Sequence, residues 1–191
     1  MPRLPDPELE GKILDAAQKL WKQGGERALT MRAVAKAAGT NTPSLYRRFR
    51  DRDDILRGLL HRVRLEYAAR LASAGSPEEA CERYLDFALS HSHEYELFYR
   101  HNYDLFHSPR SRRAMVRPVG QPARDAMRQK LKQKLGGSPD QQERVLVALW
   151  MLGHGAAMLL IAKSILPEDA RKARAAFTAA VGALLRAAHG K

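Results

Sequence analysis

The side chains with the most obvious chemical potential are the histidines. His91, His93, His101 and His107 crowd into one stretch beside Glu94 and Glu96, a set of donors of the kind that holds zinc. Their spacing argues against it. A helical His-Glu-x-x-His site needs its second histidine four positions after the first, and after His93 that position is Leu97. Gly153-His154-Gly155-Ala156-Ala157-Met158 lacks the last glycine of a dinucleotide loop and follows no strand. Neither a Gly-rich loop ending in Gly-Lys-Ser/Thr nor Gly-x-Ser-x-Gly occurs. No metal, no cofactor and no enzymatic activity are therefore expected. The single cysteine, Cys81, excludes an internal disulfide and suits a reducing cytoplasm.

What remains is the chemistry of contact with a polyanion, concentrated in residues 42–52. Thr42 and Ser44 are short and polar enough to approach base edges. Tyr46, Arg47 and Arg48 can donate hydrogen bonds to phosphates or, from arginine, to guanine, and Arg52 follows. The formal charge of +12 adds little to this, because residues 1–57 hold twelve Lys/Arg against eight Asp/Glu while 108–135 hold nine against one. Within that second block Lys130, Lys132 and Lys134 alternate, which on a helix scatters them around the axis. The segment 110–134 reads as a solvated face, with flanking DNA backbone or an anionic effector as the other options.

These side chains need elements to present them. Apolar residues recur at helical spacing almost throughout, and no alternating β-branched run appears, so the fold class expected is all-α, with about nine helices. A first helix over 7–23 sets Ile13, Ala17, Leu20 and Trp21 on one face. A second, capped by Thr30, offers Val34, Ala35 and Ala38 to the same core and ends at Gly39, which reaches the left-handed cap conformation. Thr42 as N-cap and Pro43 in the first turn then start a third helix, whose Leu45 and Phe49 face inward. Two short helices joined by a glycine turn make a helix-turn-helix, whose second helix enters the major groove.

The run Ile13-Leu14-Asp15-Ala16-Ala17-Gln18-Lys19-Leu20-Trp21, then Gly25, Thr30-Met31-Arg32-Ala33-Val34-Ala35-Lys36-Ala37-Ala38-Gly39, Leu45-Tyr46-Arg47-Arg48-Phe49 and Ile55-Leu56 resembles the N-terminal domain of the TetR family. The resemblance implies DNA-contacting positions at Thr30, Arg32, Thr42, Pro43, Ser44, Tyr46 and Arg48. Three features depart from the family pattern: Thr40-Asn41 in the turn, Arg48 where Tyr or His is common, and Arg52 where a phosphate-binding lysine is usual. Arg52 keeps the charge but alters its geometry.

Beyond residue 60 the resemblance thins to one motif. Trp150-Met151-Leu152-Gly153-His154-Gly155 is similar to the Trp-x-x-x-His-Gly pattern of one TetR C-terminal subfamily. Trp150 and His154 share a helix face, and with Phe87, His91, Phe98, Tyr99, Tyr103, Phe106 and Met158 they are the candidates to line an amphipathic effector pocket; a packed core is the plainer alternative. The stretch 145–162 is apolar all round and touches the minimum length of a membrane span. It carries His154 and barely crosses a layer of about 30 Å, so no membrane association is expected. Burial between its own core and a second subunit is expected instead. The homodimer interface anticipated from this stretch and the final helix, 168–188, comprises Leu146, Gly153, Ala157 and Leu160 with Phe177, Ala180, Val181 and Leu184.

The expected division is a helix-turn-helix domain over 1–52 and a helical effector-binding and dimerisation domain over 53–191, with the breaker-free segment 51–74 between them. The function expected is that of a cytoplasmic, homodimeric transcriptional repressor, released from a palindromic double-stranded DNA operator by a small amphipathic or aromatic effector. The alternative is the same DNA-binding fold controlled by a protein partner.

Overall fold

The computed structural model describes residues 8–96, Tyr99 and 121–189. All regular structure among them is helical, as the apolar periodicity predicts. In chain order the helices are α1 (Leu9–Ala28), α2 (Met31–Ala37), α3 (Thr42–Tyr46), α4 (Arg52–Ala72), α5 (Pro77–Ser90), α6 (Gln121–Leu135), α7 (Pro139–Ile161) and α8 (Pro167–His189). A short helical stretch also covers 92–96. The chain divides into two compact units, and the boundary of packing falls inside α4, between Val63 and Arg64.

The first unit is organised around one apolar core. Ile13, Ala17 and Trp21 of α1 meet Val34 and Ala35 of α2, Leu45 of α3, Phe49, and Ile55 and Leu59 of α4. α1 runs past residue 23, the end expected from sequence, and kinks at Gly25, whose φ of 59° and ψ of −148° suit glycine alone. The next turn is local chemistry. Thr30 Oγ1 accepts from the Ala33 N–H at 3.2 Å to start α2. Gly39 adopts φ +64°, which lets the Thr40 N–H reach back to the Ala35 carbonyl at 3.0 Å and close the helix end.

The start of α3 differs from expectation by one residue. Asn41, not Thr42, is the N-cap: its backbone is extended and its Oδ1 accepts from the Ser44 N–H at 2.8 Å. Thr42 is therefore the first helical residue. An asparagine oxygen makes as good a cap as a threonine hydroxyl, and the extended backbone at 41 decides which is used.

The second unit packs α7 against α5, α6 and α8. α5 begins with Ser76 Oγ accepting from the Glu79 N–H at 3.1 Å while Glu79 Oε2 accepts from the Gly75 N–H at 2.6 Å, so one first-turn donor and one donor just before the N-cap are satisfied, much as in a capping box. Ser138 caps α7 in the same manner, accepting from the Gln141 N–H at 3.2 Å. Glycine at 153 lets α7 lie against an aromatic ring, since a Cβ there would sit 3.1 Å from two carbons of Tyr84.

The residues expected at a dimer interface fall into two groups. Leu146, Gly153 and Ala157 of α7, and Phe177 and Val181 of α8, are buried within this chain. Leu160, Ala180 and Leu184 are half-buried. α7 is long and apolar enough to cross a membrane, yet only 28% of its most apolar stretch is covered within the chain. The uncovered side carries Val147, Trp150, Met151 (63% exposed) and Leu159. An apolar helix places whichever side its neighbours cover on the inside, and α5, α6 and α8 cover the Gly153 side.

Gly153→Val should force methyl groups into the Tyr84 ring and destabilise the protein by about 1–3 kcal/mol, read as a fall in melting temperature. An unchanged melting temperature would show that the α7–Tyr84 approach is not as tight as described.

Candidate nucleic-acid interface and aromatic cluster

α3 has only five residues, so its orientation comes from what it buries. Leu45 is fully buried and Phe49 nearly so, which turns the opposite side of the helix outward. On that side Pro43, Tyr46, Arg47 and Arg48 are exposed, and Thr42 and Ser44 are half-buried. Tyr46, at 50% exposure, is a large ring held in water by the burial of its neighbour Leu45. Thr30 and Arg32, at the start of α2, are exposed as well. Arg47 is held by its own helix, its Nη2 donating to Ser44 Oγ at 2.7 Å.

Arg52 is placed differently from a free phosphate ligand. Its Nη2 lies 2.6 Å from Glu26 Oε1, and both side chains are more than a third exposed. A pair so exposed contributes at most about 1 kcal/mol, so it orients Arg52 without sequestering it.

The junction from α3 into α4 is fixed by charges that sequence reasoning passed over. Asp51 Oδ1 accepts from the Asp54 N–H at 2.8 Å, capping α4. Asp54 in turn receives Arg50 through Nε at 2.9 Å and Nη2 at 3.1 Å, and Arg57 through Nη2 at 2.7 Å. The hydrogen bond from Arg50, reinforced by Arg57, holds the Asp54 carboxyl well below the usual carboxylate range despite partial burial. The cluster of acidic and basic letters at 50–57 reads in sequence as a solvated surface; its i, i+3 and i, i+4 spacing was the available signal.

In the second unit the rings form a chain. His91 stacks on Phe87 at 4.1 Å, Phe87 meets Tyr67 at 5.4 Å, and Tyr67 meets Tyr84 at 5.6 Å. Tyr84 then meets Tyr95 at 6.1 Å, Tyr95 meets His154 at 5.8 Å, and His154 stacks on Trp150 at 6.0 Å. A polar thread runs along one part of it: Tyr84 Oη lies 2.5 Å from Tyr95 Oη, which lies 2.7 Å from His154 Nδ1. Burial lowers the pKa of His154, favouring the neutral ring. In the tautomer with Nδ1 bare, Tyr95 donates to it and accepts from Tyr84.

Of the expected effector residues, Phe87, His91, Trp150 and His154 are joined by this chain. Met158 is half-buried one turn beyond His154 on α7, and Tyr99 is half-buried. Phe98, Tyr103 and Phe106 lie outside the described residues, as do His101 and His107. Tyr67, Tyr84 and Tyr95 were missed, because single tyrosines on three different elements carry no sequence signal of their meeting.

Four cations in the described part of the basic block make contacts within the chain. Lys130 Nζ donates to the carbonyls of Ala72, the last residue of α4, at 3.0 Å, and of Ala74, two residues on, at 2.5 Å, at a helix C-terminus where a cation is favoured. Lys134 pairs with Glu78, and Arg124 and Arg128 both pair with Glu143. Much of that charge therefore holds the unit together rather than forming a surface for DNA.

A buried-core helix pair joined by a glycine turn, with an aromatic ring and arginines on its outward side, defines a helix-turn-helix DNA-binding protein. Residues 13–59 match the family described as bacterial regulatory proteins, tetR family, and residues 78–188 match the tetracyclin repressor-like C-terminal domain. The chain belongs to the TetR family of transcriptional regulators. Among solved structures it is similar to the transcriptional regulator SCO7222, a TetR from Streptomyces coelicolor, with 19% identity, 95% of this chain and 97% of that one covered, and a TM-score of 0.70. A protein with unknown function from Rhodococcus sp. RHA1 shares 20% identity over 99% of this chain and 100% of that one, with a TM-score of 0.72. A TetR variant from Acinetobacter baumannii AYE, solved with minocycline, shares 19% identity over 93% and 94%, with a TM-score of 0.61. At such identities the likeness is one of fold. No curated protein sequence matches significantly.

Asp54→Asn should cost about 1–3 kcal/mol at neutral pH, the range for hydrogen bonds to a charged group. The folded-state pKa of Asp54 is depressed, so its contribution is complete above about pH 4, the unfolded carboxylate value, and is lost as the pH falls below it. Urea unfolding at pH 7 and pH 3 should show the gap between wild type and variant narrowing in acid; a gap equal at both would exclude the charged network as its source.

Proposed function

We propose that the protein is a homodimeric repressor that binds a palindromic operator and leaves it when a small effector occupies the second unit. The observation that carries this reading is the exposed Tyr46, flanked by Arg47, Arg48, Thr42 and Ser44 and fixed by buried Leu45 and Phe49. A large ring and two guanidinium groups held in water on the outward face of a recognition helix are suited to a groove. Thr30, Arg32 and Arg52 are proposed to contact the phosphate backbone beside it.

The dimer face proposed is the uncovered side of α7, Val147, Met151, Gly155 and Leu159, with the small residues Ala176 and Ala183 exposed on α8. Two copies meeting there would bury an apolar surface that a lone chain leaves in water, and the family's regulators are built as dimers. Effector binding among the rings of the second unit would favour a spacing of the two recognition helices that no longer suits both half-sites. α4, which belongs to both units, is the proposed lever. Such coupling typically amounts to about 1–3 kcal/mol and is reciprocal, so operator DNA must weaken effector binding by the same factor. The minocycline complex of a similarly folded protein supports a small ligand over a protein partner as the controlling input.

Selection from random duplex DNA with the purified protein should yield a palindrome, bound less tightly as salt rises, and Tyr46→Ala should weaken that binding at least tenfold. Sequence-independent binding indifferent to Tyr46 would defeat the regulator reading. Met151→Glu should yield monomers in sedimentation velocity and lose operator affinity while remaining helical; a dimeric variant would move the interface elsewhere.

A further inference from the structure

Arg52, proposed above to meet a DNA phosphate, already holds an anion. Its Nη2 donates to Glu26 Oε1 at 2.6 Å, which joins the last turn of α1 to the first residue of α4 across 26 positions of the chain. Both residues belong to the first unit. Glu26 stands immediately after the kink at Gly25, and its carbonyl accepts from the N–H of fully buried Leu29 at 3.2 Å. Its backbone is thus tied to the core whatever its carboxylate does.

A guanidinium binds carboxylate and phosphate through the same N–H donors and in the same planar geometry, so Glu26 occupies part of the donor set that a phosphate would use. Once a phosphate arrives, the carboxylate either goes on aiming Arg52 or competes for it. Exposure and charge favour competition. The two side chains are 41% and 37% exposed, and a pair so open to water holds its partners weakly, which limits what aiming can gain. Repulsion, by contrast, comes with every phosphate that Arg52 binds, because two anions on one guanidinium lie close together and like charges repel. Asp51 and Asp53, which flank Arg52 in the chain and are both exposed, add charge of the same sign.

We propose that Glu26 is an internal substitute for a DNA phosphate. It occupies Arg52 in the free protein, is exchanged for a backbone phosphate on binding, and holds the affinity for DNA below what the cations alone would give. This rests on the reading that Arg52 contacts the phosphate backbone, and it adds the residue that opposes that contact. Phosphates carry no sequence information, so the restraint acts on any duplex as well as on an operator.

A double-mutant cycle on the full-length protein isolates the contact, with fluorescence anisotropy as the readout and two labelled probes, the selected operator and a duplex of unrelated sequence. Glu26→Gln should bind both duplexes about threefold more tightly than wild type, within the range of an exposed ion pair, and Arg52→Ala should weaken both. In the Arg52→Ala background Glu26→Gln should change nothing, because the competition has lost its object. Weaker binding by Glu26→Gln would show that the carboxylate aims Arg52, and would overturn the proposal. So would unchanged binding, or an equal gain in the Arg52→Ala background, the mark of general repulsion between Glu26 and DNA. If the palindrome is recovered but the gain is absent, this proposal alone falls; if no palindrome is found, the regulator reading falls and the cycle is still measured on the unrelated duplex.

Discussion

A helix of five residues has no stability of its own, since isolated helices shorter than about 12–15 residues are marginal in water. The helix proposed to face DNA, α3, is of this kind, and everything it presents depends on the burial of Leu45 and Phe49 in the core made by α1, α2 and α4. Asn41 at one end and the Arg50–Asp54–Arg57 cluster at the other set where α3 begins and how the chain leaves it. The exposed position of Tyr46 follows from these constraints rather than from any preference of its own.

The second unit obeys the same logic with a different outcome. α7 is apolar on every side, so burying one side against α5, α6 and α8 necessarily leaves another uncovered. Gly153 favours the side that goes in, because a Cβ there would sit 3.1 Å from the Tyr84 ring, closer than ordinary contact. One side of the helix thereby carries His154 into the ring chain, and the other leaves Val147, Met151 and Leu159 uncovered.

Charge is used mainly for construction. Lys130 binds carbonyls at and just past the end of α4, Arg83 donates to the Arg70 carbonyl at 3.1 Å in the same region, and Arg174 bridges α8 to Asp86 of α5 at 2.6 Å. A net charge of +12 is therefore no measure of DNA affinity. Glu94 is the contrasting case, 2% exposed and with no hydrogen-bond partner for its Oε1 among the described residues.

The N-terminal half was legible in the sequence because its determinants are local. Helical periodicity, the Thr30 cap, Gly39 and the inward pair Leu45 and Phe49 each act within a few residues, and the structure reproduces all of them; even the shift of the cap from Thr42 to Asn41 is a choice between adjacent residues of similar chemistry. The second unit was legible only as helices. Which side of α7 faces inward, which tyrosines meet His154, and that Glu94 is buried rather than solvated depend on contacts between segments tens of residues apart. Sequence determined the elements and the residue types available at the surface of α3, through short-range hydrogen bonding and apolar spacing. Tertiary packing alone decided the free face of α7, the continuity of the rings and the burial of Glu94, because burial is a property of neighbours that the chain brings together only when it folds.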